Sequence, residues 1–239
     1  MTSNEILEKK LEILDDYNKI WKLAQLENIP KNPKQANSLD WEFKIKPLAE
    51  TALRYKNFSA IEILIKNYLE KNPFDHKKVL SIGCGAGKDL EGIRKIFPAS
   101  QLCGIDQSKH ALKEAKKHSN ADFICALAEY LPFRDDLKFD GFIAGHTLDI
   151  APNADDSERI VGELTKYAAE KSRFYMTFYW HGYIEDGTCP DLELGVCTPV
   201  GNALGKFGWV HKQENFDYSL TKKSPYAEGV FWVVERNEV

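Results

Sequence analysis

Two rhythms of apolar residues divide the chain. Through the first 75 residues they recur at three- and four-residue steps, the spacing of one helix face. Leu7, Leu11, Leu14, Tyr17, Trp21 and Ala24 share such a face and predict an amphipathic helix over residues 4–27. Ile29-Pro30-Lys31-Asn32-Pro33 ends it, residues 31–40 read as a polar loop, and residues 46–56 are expected to be helical. A further helix is predicted over 58–71, with Phe58, Ile61, Leu64, Ile65 and Tyr68 inward and Asn72-Pro73 as its stop. From Lys78 the rhythm changes. Short apolar runs near 78–82, 101–105, 122–125, 139–144 and 174–179 read as buried strands, and helices fit between them near 88–97, 108–118 and 156–171.

Strands alternating with helices imply a parallel sheet covered on both faces, because each parallel return needs a crossover long enough to hold a helix. The end of the chain differs. Trp209–Tyr218 and Gly229–Arg236 are strand-like with no room for a long helix between them, and they predict an antiparallel hairpin added to the sheet. The expectation is an α/β domain over 76–239, carrying a helical extension over 1–75. The segment 182–208 is long and glycine-containing, and is read either as a specificity loop or as a plain surface connection.

Composition narrows the class. The chain has 239 residues, 43% hydrophobic and 28% charged, as in ordinary globular proteins. A formal net charge of −4 gives no overall electrostatic footprint for nucleic acid, and the first 75 residues carry equal numbers of acidic and basic side chains. Charges at Glu5, Glu8, Lys9 and Lys10 interrupt any signal-peptide core, and no apolar run approaches a membrane span. Five cysteines without a C-x-x-C pair argue against zinc, and a reducing, cytoplasmic setting is expected.

The chemistry concentrates in Val79-Leu80-Ser81-Ile82-Gly83-Cys84-Gly85-Ala86-Gly87. An apolar strand runs into three alternate glycines, and a helix follows. Gly83, Gly85 and Gly87 allow a sharp turn and close approach of a ligand to the backbone. The next strand ends on Asp106, an acid placed to accept hydrogen bonds from both hydroxyls of a ribose. Glycine loop plus acid points to an adenosine-containing ligand. A nicotinamide fingerprint needs its third glycine one residue later, where Lys88 stands.

This run resembles motif I of the class I S-adenosylmethionine-dependent methyltransferases, the small-molecule type 11 and type 25 members in particular. Asp106 is similar to the family's ribose-binding acid. Tyr130-Leu131-Pro132-Phe133 resembles the "LPF" segment after the third strand, and Phe139-Asp140 resembles the opening of the fourth. The resemblance covers residues 76–180 well. It implies a Rossmann-like, seven-stranded, mostly parallel sheet, with S-adenosylmethionine as cofactor and methyl transfer as the reaction. By that resemblance the cofactor shell is Ser81, Gly83, Cys84, Gly85, Gly87, Asp106, Gln107, Leu127, Ala128, Glu129 and Gly145, with Ile105 and Leu127 as walls of the adenine slot. The chain departs from the family twice: Ser81 stands where many relatives carry an acid near the cofactor's amino group, and Leu127 where many carry an Asp near the adenine.

Methyl transfer from a sulfonium is an in-line displacement. It needs alignment and exclusion of water, and a base only when the acceptor must lose a proton. Candidate bases are His146, Asp149 and His181, with packing or cofactor-shell roles as the alternative. Trp180 and Tyr183 lie just past the fifth strand and are candidate pocket walls. Tyr17 and Trp21 belong either to the core of the first helix or to a lid over the substrate. No Pro-Pro-Tyr motif follows the fourth strand, which disfavours methylation of an exocyclic base nitrogen. Gly145-His146 replaces the Asp of metal-dependent catechol-type relatives, so no metal is expected. Thr188-Cys189 lies too far beyond the fifth strand to serve as a cytosine-methylating nucleophile. The expected acceptor is a small molecule attacked at N or O. An RNA or protein acceptor, and a non-catalytic binding role, are the alternatives. No nucleic-acid or membrane partner is expected, and the oligomeric state is left open.

Overall fold

A computed structural model describes residues 61–145, 147–148, 154–179, 197–215 and 229–237. The predicted helices over 4–27 and 46–56, with Tyr17 and Trp21, lie outside the described residues, as do His146, Asp149, Trp180, His181 and Tyr183. In chain order the elements are α1 (Ile61–Lys71), β1 (Lys78–Ile82), α2 (Lys88–Ile96), β2 (Gln101–Asp106), α3 (Lys109–His118), β3 (Asp122–Cys125) and β4 (Phe139–Gly145). There follow α4 (Ala154–Lys166), β5 (Ala168–Tyr179), α5 (Cys197–Lys206), β6 (Trp209–Asn215) and β7 (Gly229–Arg236). The strands make one seven-stranded sheet in the order β3-β2-β1-β4-β5-β7-β6. The first five are parallel, and β7 is antiparallel to both β5 and β6. The sheet order reverses beside β1, and open α/β sheets bind their ligands at such a point.

Period-two alternation sorts the strand residues between two cores. Leu80, Ile82, Phe142, Ala144, Phe174, Met176, Phe178, Trp232 and Val234 pack on one face with α4 and α5. Val79, Ile143, Tyr175, Phe231 and Val233 pack on the other with α1, α2 and α3. Continuous apolar strands follow from burial on both sides.

Two expectations are corrected. The helix predicted over 156–171 ends at Lys166, and β5 begins at Ala168. Ala168-Ala169-Glu170-Lys171 is built of good helix formers, but pairing with β4 captures it through a bulge, with Lys171 at φ 60°. The segment 182–208, read as a loop, contains α5 over its last part, so Cys197 opens a helix. Gly201, Gly205 and Pro199 weaken its helix propensity. Val200, Ala203 and Leu204 nevertheless stand at helical spacing and are all buried.

Opposite the crevice, where the strands begin, a buried polar cluster ties β1, β4 and β5 together. His76 Nε2 lies 2.8 Å from the Tyr175 hydroxyl, and Nδ1 lies 3.3 Å from Asp140 Oδ1. Nδ1–H donating to the carboxylate, with Nε2 accepting from the hydroxyl, satisfies both contacts. Asp140 also accepts from the Lys77 and Lys78 amides at 2.9–3.1 Å. Burial pushes the Asp140 carboxyl up, but the hydrogen bonds from His76 and the two amides outweigh it and hold it below the ordinary carboxylate value.

Candidate active site

The crevice is built by the turn after β1. Gly83, Gly85 and Gly87 all have positive φ, at 61°, 51° and 73°, which side-chain-bearing residues adopt only with strain. At Gly83 there is also no space: a Cβ would fall 2.4 Å from Thr147 Oγ1. Thr147 closes the gap between the ends of β1 and β4 by donating to Ile82 O at 3.0 Å. Gly87 precedes α2 and abuts α3 and β3, where a Cβ would lie 3.0 Å from Ala115 and 3.2 Å from Phe123. The turn is anchored by Cys84 N donating to Ile105 O at 2.9 Å and Gly87 N donating to Cys84 O at 2.8 Å.

Asp106 closes β2 beside this turn and is only 2% exposed. Its Oδ2 accepts from Gly85 N at 2.9 Å, and its Oδ1 from Ser108 N at 2.8 Å. Both bonds orient the carboxylate. Ser108 then caps α3 by accepting from Ala111 N at 3.3 Å. Gln107 is half-buried, and its carbonyl accepts from the Cys125 thiol at 3.5 Å. Burial, then the Asp106 and Asp89 carboxylates, push the Cys84 thiol well above its usual range, so it stays protonated and packs as an apolar group beneath the turn. Cys84 therefore offers a ligand its backbone.

The segment after β3 makes the third wall. Tyr130 N donates to Leu127 O at 3.1 Å, which folds Leu127, Ala128, Glu129 and Tyr130 into a tight turn. Leu127 is 43% exposed and Tyr130 68% exposed, whereas Ala128 packs on the core. Ile105, expected as a second wall of the adenine slot, is 1% exposed and belongs to the core beneath it. The turn is held from behind. Leu131 N donates to Glu163 Oε1 at 3.1 Å, and the Tyr167 hydroxyl lies 3.3 Å from the Leu131 and Phe133 carbonyls.

Two residues at the crevice carried no earlier assignment. One is Thr147. The other is Asp89, in the first turn of α2, whose Oδ2 sits 2.8 Å from the position a Cβ on Gly145 would take. Gly145 ends β4, so its bareness makes room for that carboxylate. Among the described residues no group of three or more His, Cys, Asp or Glu is placed to hold a metal ion, and no helix is long and apolar enough to cross a membrane.

An open α/β sheet with a strained glycine turn after β1 and a buried acid closing β2 defines a crevice of the nucleoside-binding kind. Residues 79–171 match the family model of the methyltransferase domain. It is 31% identical over 70 residues to the mitochondrial ubiquinone biosynthesis O-methyltransferase of Schizosaccharomyces pombe. That match spans 29% of this chain and a quarter (25%) of the relative's length. The fold is similar to that of magnesium protoporphyrin IX methyltransferase from Synechocystis PCC 6803 with bound SAM, at TM-score 0.60 and 13% identity, covering 95% of this chain and 97% of that one. It is also similar to the plantazolicin methyltransferase BpumL in complex with SAH, at TM-score 0.58 and 18% identity, covering 95% and 99%.

Proposed function

We propose that this chain is an S-adenosylmethionine-dependent methyltransferase acting on a small-molecule acceptor at nitrogen or oxygen. The observation that carries the reading is the strained glycine turn wrapped around the Asp106 carboxylate. A turn with no side chain at Gly83, Gly85 or Gly87 leaves bare backbone facing a ligand, and a buried acid at the end of β2 suits the two hydroxyls of a ribose. When bound, S-adenosylmethionine would supply an electrophilic methyl carbon, to which the acceptor would bond in line as the bond to sulfur breaks and S-adenosylhomocysteine leaves. The protein's own part is positional. Gly83, Gly85 and Gly87 admit the ligand, Asp106 fixes its ribose, and Leu127, Ala128 and Glu129 face its adenine. Gly145 lies beside the methionine arm. An acceptor that must lose a proton takes its base from His146, Asp149 or His181, with Trp180, Tyr183, Tyr17 and Trp21 as candidate acceptor walls. The small-molecule assignment is supported by the chain's negative net charge and by the named reactions of the S. pombe and BpumL proteins. The proposed setting is the cytoplasm.

A second reading, a sulfonium-nucleoside binding protein without catalysis, is favoured by one observation. The chain departs from the family pattern at two positions, Ser81, buried in β1 two residues before Gly83, and Leu127, exposed in the turn after β3. Calorimetric titration with S-adenosylmethionine, S-adenosylhomocysteine and NAD tests the proposal. Micromolar binding of the two sulfur ligands and none of NAD is the expected result. Failure of both sulfur ligands to bind overturns it. Binding without methyl release to any acceptor pool moves the assignment to the second reading.

A further inference from the structure

Thr147 stands where two walls of the crevice meet. Strands β1 and β4 are paired from Val79 and Gly141 as far as Ser81 and Ile143. Beyond that pair both strands run on, β1 to Ile82 and the glycine turn, β4 to Gly145. The Thr147 hydroxyl spans the two ends. Its Oγ1 lies 3.0 Å from Ile82 O and 3.3 Å from Gly145 O. One proton serves the shorter contact, and the Gly145 carbonyl is the alternative acceptor. The rest of the side chain lies on Gly83: Oγ1, Cγ2 and Cβ all fall within 3.0 Å of the place a Cβ there would take. Threonine is stiff about χ1, and the next residue, Leu148, is buried in the core that α4 and α5 share with the sheet. The hydroxyl is therefore held from behind and reaches one place.

We infer that Thr147 is a positioning residue, whose hydroxyl sets the separation between the glycine turn and the end of β4. The inference rests on the function proposed above, in which the ligand's ribose meets Asp106 and its amino-acid arm lies beside Gly145. Asp106 and the turn after β3 hold the nucleoside, on the opposite side of β1 from β4. The arm crosses the gap that Thr147 spans. Without the hydroxyl the two strand ends are free to part, and the arm loses contacts while the nucleoside keeps its own.

The test separates the arm from the nucleoside and the hydroxyl from the methyl group. Wild type, Thr147→Ser and Thr147→Ala are titrated with S-adenosylhomocysteine and with 5′-methylthioadenosine, which has the same nucleoside and no amino-acid arm. Serine keeps the hydroxyl and loses only the methyl, so the difference between the two variants reads the hydroxyl. Thr147→Ser is expected to bind S-adenosylhomocysteine within about twofold of wild type. Thr147→Ala is expected to bind it about 2- to 10-fold more weakly, the worth of a neutral hydrogen bond, with methylthioadenosine within about twofold in all three proteins. Equal affinity of the serine and alanine variants for S-adenosylhomocysteine overturns the inference and leaves the proposed function standing. An equal loss on both ligands in Thr147→Ala also overturns it, since a merely structural role moves the two together. Wild type that binds neither ligand overturns both the inference and the function. Amide hydrogen exchange of the ligand-free proteins adds a reading that needs no ligand. The Cys84, Gly85 and Gly87 amides are hydrogen-bonded in the turn and should exchange faster in Thr147→Ala than in Thr147→Ser, with the Lys77 and Lys78 amides at the opposite end unchanged. Equal exchange in the turn overturns the inference. Denaturant titration checks that each variant is folded.

Discussion

Where the strands of the sheet begin, polar side chains meet one another. His76 lies between Asp140 and Tyr175, and Asp140 takes two backbone amides. Arg173 pairs with Glu235 at 3.1 Å while its guanidinium lies over Phe74. Where the same strands finish, glycines stand in place of side chains, the turn holds three positive φ angles, and the hydroxyls of Ser81 and Thr177 have no hydrogen-bond partner among the described residues. The first end is closed by its own chemistry and contributes to stability. The second is left strained and incomplete, the state expected of a site that a ligand completes. The pattern is not absolute, since the hydroxyl of Ser172, in the bulged part of β5 near the first end, also has no partner among the described residues.

The sharpest way to break this comparison is Gly83→Ala. It combines left-handed strain of about 1–2 kcal/mol with overpacking of about 1–3 kcal/mol against Thr147, giving a stability loss of about 2–5 kcal/mol in denaturant titration. It should also abolish S-adenosylhomocysteine binding. A variant that keeps wild-type affinity shows that the turn is not the ligand's cradle. His76→Ala probes the other end. It removes two buried hydrogen bonds and the edge-on contacts to Phe97 and Tyr175, and should cost about 2–4 kcal/mol of stability. Affinity for S-adenosylhomocysteine, measured at a temperature where the variant is folded, should be unchanged. If affinity falls in step with stability, the two ends are not separable.

Asp106→Ala should reduce S-adenosylhomocysteine affinity by about 1.5–3 kcal/mol, the range for hydrogen bonds to a charged group. Unchanged affinity in a folded variant would sink the ribose assignment. The smallest expected effect is a pH dependence at the opposite end. The folded Asp140 carboxyl sits below its unfolded value, so its stabilising contribution is complete above about pH 4 and is lost as pH falls through the folded value. Chemical denaturation at pH 6 and pH 3 should show a smaller acid loss for Asp140→Asn than for wild type. Equal losses would remove Asp140 from the account of that end.

The comparison also explains how much of the molecule could be read from residues alone. Strand positions were legible because burial on both faces leaves continuous apolar runs, and the glycine turn because no other residue takes its angles. The Asp106 acid was legible from its place at the end of β2. Asp89 and Thr147 were not. Each acts on a residue distant in sequence, Gly145 and Gly83 respectively, so nothing in local spacing marks it. The His76 cluster joins residues as far apart as 99 positions and was invisible for the same reason. Local propensity misled where tertiary pairing overrode it, at 168–171, and again where glycine and proline masked the apolar spacing of α5.

Strand β7 follows β6 in the chain but lies inside it in the sheet, hydrogen-bonded to β5 on one side and β6 on the other. During synthesis β6 therefore emerges before its own partner, because the strand that will connect it to the sheet has not yet been made. Until then β5, the exposed margin of an otherwise finished parallel sheet, presents unpaired amides and carbonyls to any passing strand. The nascent protein thus passes through a stage at which its vulnerability to aggregation lies at one strand edge. Arrival of β7 ends that stage by covering β5 and docking β6 together.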